Sequence, residues 1–414
     1  MTLDHLAIRV QQAALLGLIF LLPFSNAAIE IGFAFLLIGW SVQHLSARGW
    51  QESVWRVPRL RVLRIALVVF VGTCAASVAV SGYPLQSLRG LVTKWLEYLA
   101  FLVIVADVVW TDARIMPRIL GTIAWSAFFV AFESIGQELF GRGPIRGIPL
   151  FHEDQIRYYG RMRGPYSNPI DLGTYLMVML PILLASLARW KGLARRAGGM
   201  LSLVLMGCLI RTQAVGAWFG LSIGAGVMAL ARRQTRRLIL VLGALLALGG
   251  AAYLARQGIL DDTLLLQRPG AADRRVMWQA ALGMIEDRPW LGHGLNTFMA
   301  NYLTYWVGGE RQPRYAHNCY LQMAAETGLI GLAAFLAVLA CLLWSIWRGV
   351  RRSSGENQFA LLAMWASLIA FLAQAGLDTN FYVMRQAALF WVLAGLALGL
   401  SQRLLSPSSS RAPQ

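Results

Sequence analysis

Apolar runs follow one another along almost the whole chain, each interrupted by Gly, Pro, Asn or Asp or by a group of arginines. About 20 mostly apolar residues cross the hydrocarbon layer as a helix, and in lipid only helices and closed barrels satisfy every backbone amide. Twelve such runs lie near 6–23, 28–45, 62–82, 90–109, 115–139, 171–188, 198–211, 214–231, 238–255, 322–346, 358–377 and 386–402. The run at 6–23, ending at Pro23-Phe24-Ser25-Asn26, has the look of a cleavable signal peptide, but its many successors favour a first span. Of the 414 residues, 57% are hydrophobic and 14% charged, against about 45–50% and 25% in soluble domains. The expectation is an all-α polytopic protein, residues 1–414 forming one membrane domain of about twelve transmembrane helices.

The formal net charge of +17 would suggest a nucleic-acid partner in a soluble chain. Here the positive-inside rule accounts for most of it, and no nucleic acid is expected. With both termini cytoplasmic, 21 of the 37 Lys and Arg residues fall on the inner side, in short clusters such as Arg48/Arg56/Arg59/Arg61/Arg64 and Arg232/Arg233/Arg236/Arg237. The other 16 concentrate in two long outer connections, about 140–170 and 256–321. Long loops escape the rule, so the orientation stands. Cys74, Cys208, Cys319 and Cys341 are scattered singly, which predicts neither a disulfide nor a zinc site.

The first outer loop carries Arg142, Arg146, Arg157, Arg161 and Arg163 among Gly and Pro, with His152-Glu153-Asp154; it reads as an irregular segment over the membrane surface. The second holds Asp261-Asp262, a helix from about Asp273 to Glu286 with Trp278, Ala281, Leu282 and Ile285 on its inner face, then Arg288-Pro289-Trp290-Leu291-Gly292-His293 and Arg311-Gln312-Pro313-Arg314-Tyr315-Ala316-His317. Trp290, Tyr302, Tyr305 and Trp306 suit either a sugar platform or interfacial anchors. Arg211, between two apolar runs, calls for a partner. Converging guanidinium groups match an anionic, lipid-linked ligand, because the planar fork gives two parallel hydrogen bonds to a phosphate.

No nucleotide-binding loop and no His-Glu-x-x-His motif occurs. Metal-holding carboxylates have only Glu30 and Asp261-Asp262 as candidates, so arginines must carry the charge of a departing diphosphate and no metal cofactor is expected. His5 and His44 fall on the inner side as incidental residues. His317, beside Arg311, Arg314 and Tyr315 and before a long apolar helix, is the candidate general base, since imidazoles titrate near neutral pH.

The segment from His317-Asn318 through nine residues to Gly328, with Gly331 three further on, resembles the signature of the O-antigen ligase and polymerase superfamily. Arg163-Gly164-Pro165-Tyr166-Ser167-Asn168-Pro169 and Arg274 four before Trp278, followed by Arg288-Pro289-Trp290-Leu291-Gly292, agree with it. The resemblance implies a GT-C-like fold in a bacterial inner membrane, with periplasmic transfer of O-antigen from undecaprenyl pyrophosphate to lipid A-core. It implies His317 as base, with Arg211, Arg274 and Arg288 at the pyrophosphate. Arg161 or Arg163, with Arg314, Asn168 and Asn318, would bind substrate. Where the family usually shows Ser-Arg and a small residue, this chain has Ile210-Arg211-Thr212-Gln213. A single His with an Arg cluster suffices for one inverting displacement, without a carboxylate nucleophile.

An O-antigen polymerase or a protein O-oligosaccharyltransferase of the same superfamily shares these pieces. A lipid-linked sugar transporter would show internal repeats, and the sequence shows no convincing one.

Overall fold

The computed structural model describes residues 3–45, 47–151, 160–231, 269–308, 312 and 314–406. Within them the chain is helical, with no strand and one isolated antiparallel bridge, Arg142 to Pro149. The helices are α1 (Leu3–Leu21), α2 (Asn26–His44), α3 (Ala47–Glu52), α4 (Arg61–Ala79), α5 (Pro84–Gly90), α6 (Glu97–Thr111), α7 (Met116–Phe140), α8 (Pro169–Ser186), α9 (Gly192–Thr212), α10 (Val215–Ala231), α11 (Pro269–Asp287), α12 (Phe298–Tyr302), α13 (Cys319–Arg352), α14 (Gly355–Ala375) and α15 (Met384–Leu404).

Eight helical stretches among the described residues are long and apolar enough to cross a membrane: α2, Pro58–Ala79, Ala113–Phe140, α8, α9, α13, α14 and α15. The protein is a multi-pass membrane protein. The expected spans at 6–23 and 214–231 become apolar helices of shorter length. The run at 90–109 falls in a helix interrupted by a π-turn, Leu91–Leu96. The run at 238–255 lies outside the described residues.

Helix α15 forms the centre of the bundle and packs most extensively on α6. Close approach depends on glycine: a Cβ on Gly395 would sit 2.8 Å from Val105 Cβ, and one on Gly399 2.5 Å from the Ala106 carbonyl. This is the Gly-x-x-x-Gly device by which membrane helices gain packing contact. Gly220 and Gly224 of α10 use it again, against the carbonyls of Ala370 and Ala366 on α14. At the rim, α4 turns Val62, Ile65 and Val68 outward, as a lipid-facing helix does.

The two ends of the bundle differ. At one end the buried Asp107 accepts hydrogen bonds from Trp40 Nε1 (2.8 Å), Ser53 Oγ (2.9 Å) and the Val54 amide (2.8 Å), with His44 Nε2 3.4 Å away. His44 is therefore not incidental: with Asp107 it fastens residues 53–54 to α2 and α6. The other end gathers residues 141–151, 160–168, 288–308, 314–318 and 376–383.

Candidate functional site

The first outer loop is folded rather than irregular where it is described. Helix α7 ends at Gly141 in the left-handed conformation (φ 74°), which glycine adopts without cost. The chain then turns back over the fully buried Glu133, whose carboxylate accepts the amides of Ile145 (2.6 Å) and Arg146 (2.8 Å). Arg146 reaches the Phe24 carbonyl. The expected His152-Glu153-Asp154 and Arg157 lie outside the described residues.

Arg163, 2% exposed, directs its guanidinium at the carbonyls of Pro149 and Leu150, while Gln137 accepts its amide at 2.8 Å. Burial lowers the pKa of this guanidinium from its ordinary value. Its surroundings are those of a brace, whereas Arg161 is half-buried and donates to the Thr212 and Gln213 carbonyls (2.9 and 3.2 Å). Arg211 occupies the last turn of α9. It is about one-third exposed and paired with Glu138 at 2.6 Å, a partner that sequence reasoning did not foresee. Asn168 caps α8, accepting the Ile170 amide at 2.9 Å, with Pro169 at the first helical position.

His317 is set by the start of α13. Asn318 is the N-cap and accepts the amides of Tyr320 (3.0 Å) and Leu321 (3.1 Å). His317, immediately before it, has φ 46°, a region that non-glycine residues enter at a cost. The Cys319 amide donates to the Asp378 carbonyl (3.2 Å), and His317 Nδ1 lies 3.2 Å from Asp378 Oδ1. Asp378 is held in turn by the Thr379 amide at 2.8 Å. With Nδ1 engaged, Nε2 is left as the nitrogen that can take a proton. The His317 side chain is one-third exposed, so it is both held and reachable.

The α13 helix breaks at Gly328 (φ 71°, ψ 178°). The segment after α11 fills the break: the His293 amide donates to the Ala325 carbonyl (3.0 Å), Gly294 to Glu326 (2.8 Å), and Leu329 to Pro289 (2.7 Å). A Cβ on Gly328 would come within 2.1 Å of the Trp290 carbonyl, and one on Gly292 within 2.5 Å of the Glu326 backbone. Only glycine permits backbones this close. Below the clasp the fully buried Glu326 accepts the Asn296 and Phe298 amides (2.7 and 3.1 Å), Gln322 Nε2 (3.2 Å) and Tyr382 hydroxyl (3.0 Å).

Arg288 follows α11 and is about half exposed. It donates to the Val80 carbonyl (3.1 Å) and lies 3.8 Å from Asp287. Arg274 and Arg314 are half-buried. The helix expected from Asp273 to Glu286 is present, but its buried face is Met277, Ala280, Ala281 and Met284, while Leu282 is exposed. Among the aromatics, Tyr302 is core, packed with Phe298; Trp290 is exposed; Tyr305 donates to Asp287 at 2.7 Å. His293 is buried against the Met284 carbonyl (3.1 Å), and burial lowers its pKa from the ordinary value. Arg311, Pro313 and Asp261-Asp262 lie outside the described residues.

The candidates thus fall into three groups at one end of the bundle: Arg161 and Arg211 beside α9, Arg288 beside α11, and His317 with Asp378. Among the described residues the partner of the His317 ring is a carboxylate, not an arginine. Sequence reasoning did not connect Asp378 with His317 and missed Glu326. It also passed over Arg385, which donates to Asn26 (2.9 Å) and to the Pro23 and Pro165 carbonyls (3.1 and 3.2 Å). A carboxylate 61 residues away gives no spacing signal, although Asp378-Thr379-Asn380 between two apolar runs marks a polar turn.

A family model described as O-antigen ligase matches residues 199–336. The chain is 28% identical to an O-antigen ligase of Pseudomonas aeruginosa over 78% of this chain and 76% of that protein. It is 25% identical to the exopolysaccharide production protein ExoQ of Rhizobium meliloti, over 66% of this chain and 63% of that protein. A Rickettsia felis protein named "Putative polysaccharide ligase" is 25% identical over 51% of this chain and 52% of its own length. The match thus takes in about half of the Rickettsia relative and under two thirds of the Rhizobium one.

Proposed function

We propose, from the support that these likenesses give to the O-antigen ligase superfamily, that the protein is a glycosyltransferase joining a polysaccharide to a lipid-borne acceptor. The reading is specific: O-antigen leaves undecaprenyl pyrophosphate for a hydroxyl of lipid A-core, on the periplasmic side of the bacterial inner membrane, with inversion. The observation that carries it is the pairing of His317, at the head of α13 and inside the stretch matched by the family model, with Asp378, which lies beyond that stretch.

His317 Nε2 takes the proton of the acceptor hydroxyl as its oxygen attacks the anomeric carbon. The bond to the diphosphate breaks with its electron pair, and the charge that develops on the leaving oxygen is met by Arg288, Arg274, Arg211 and Arg161. Asp378 keeps the imidazole in one tautomer and stabilises its protonated form, a positioning role. Arg163, Asn168, Asn318 and Arg314 support this arrangement, the two asparagines by fixing where α8 and α13 begin.

The test is the lipopolysaccharide banding of a deletion strain complemented with point variants. Wild type restores capped lipopolysaccharide and His317→Ala, inserted at normal levels, does not; restoration by that variant refutes the base assignment. The Rhizobium relative, named for exopolysaccharide production, makes room for a second reading in which the product is a longer polysaccharide, joined from two lipid-linked glycans by a polymerase. Long glycan stranded on undecaprenyl pyrophosphate in the deletion strain supports a ligase, and loss of chain extension supports a polymerase.

A further inference from the structure

The end of the bundle opposite His317 holds a cleft of about 450 Å³ between residues 51–57, Trp110 at the end of α6, and Arg403 and Ser406 at the end of α15. That volume is in the range of about 300–1,000 Å³ usual for ligand clefts. Arg56 and Arg403 enter its lining from separate elements. Among the described residues neither guanidinium makes a hydrogen bond or ion pair to protein; Arg403 lies over the Trp110 ring, 6.0 Å from its centre. The one carboxylate of the lining, Glu52, is not free. Arg59, which donates to the Leu405 carbonyl at 2.7 Å, is within electrostatic reach of Arg348 and Arg352. The floor is fixed, because Ser53 is bonded to the buried Asp107 and Trp110 Nε1 to the Glu52 carbonyl at 2.8 Å.

Arg56 and Arg403, which form no ion pair among the described residues, line a preformed cleft whose one carboxylate, Glu52, is already engaged, and so select an anionic ligand. Their place at the ends of membrane-crossing helices puts that ligand at the headgroup level. We propose that this cleft binds a phosphodiester anion supplied by an acidic phospholipid headgroup, with Arg56 and Arg403 on its oxygens and Ser406 at its rim. Bound there, the lipid ties residues 51–57 to the end of α15. The site is independent of the proposed glycosyl transfer.

The test uses the full chain purified in neutral detergent, with thermal unfolding followed on adding phosphatidylglycerol, phosphatidylcholine or glycerol phosphate. Phosphatidylglycerol should raise Tm by several degrees and phosphatidylcholine should not. The rise should vanish in R56Q/R403Q and persist in R195Q/R196Q, which removes the same charge elsewhere at that end. A full shift from glycerol phosphate alone overturns the lipid as the source. An equal shift from phosphatidylcholine, or one retained in R56Q/R403Q, overturns the site. Should that double variant not fold, wild type decides: a shift that survives about 1 M NaCl, where screening shortens to about 3 Å, counts against a charge-held ligand.

Discussion

At the residue scale, the site turns on one hydrogen bond and a few enforced backbone conformations. Asp378→Asn preserves the shape of the His317 partner but removes the negative charge that stabilises the protonated imidazole, so turnover should fall by about 10²-fold or more, with the protein still inserted and the acceptor KM little changed. A fall confined to KM would instead make Asp378 a binding group. Arg288→Lys keeps the charge and loses the fork; it should lower kcat while leaving Tm near wild type, and an unchanged kcat removes Arg288 from the site. His293 makes a pH prediction. Its folded pKa lies below the ordinary 6.5 because burial disfavours the cation, so the unfolded chain binds more protons between the two values. The stability of neutral His293 is complete above about pH 6.5 and declines as pH falls toward its folded pKa. Thermal unfolding should show that decline in wild type and less of it in His293→Asn. Sequence reasoning found His317 through its motif but gave His293 no role, because nothing local shows that the fold will bury it against the Met284 carbonyl.

At the element scale, α13 explains a spacing. His317 stands at the head of one short helix, Gly328 ends it, and the strap at 289–294 grips it by the carbonyls of Ala325 and Glu326. The interval between the histidine and the glycine is thus the length of one rigid piece. Gly328→Ala places a Cβ against the Trp290 carbonyl at a left-handed φ and should cost about 2 kcal/mol or more, read as a lower Tm and reduced transfer. One residue inserted between 319 and 327 should turn the imidazole by about 100° around the helix axis and abolish transfer without preventing insertion. The motif was visible in the sequence, but the break was not. A glycine within an apolar run reads as a tolerated helix residue until the strap that needs its missing side chain is in view. On the face of α11, Ala281 and Ile285 pack inward as expected, but Leu282 faces outward and the small Ala280 is buried with Met277 and Met284.

At the scale of the whole molecule, apolar run length located the long helices to within a few residues, since that pattern answers to membrane thickness alone. Among the described residues eight of the twelve runs become helices long enough to span and three meet a π-turn or a shorter helix, and run length gave no account of which helix lies at the centre. That order comes from glycine spacing. Gly399→Leu, driven into the Ala106 carbonyl, should leave little monodisperse protein in detergent, whereas Val68→Leu on the exposed face of α4 should behave as wild type. Helices α6 and α15 touch backbone to backbone at mid-length, so they cannot slide past each other. Hydrophobic mismatch must then be absorbed by tilting of rim helices such as α2 and α4. A bilayer that thins or thickens would leave the central pair, and the polar turn at its outer end, at a constant height.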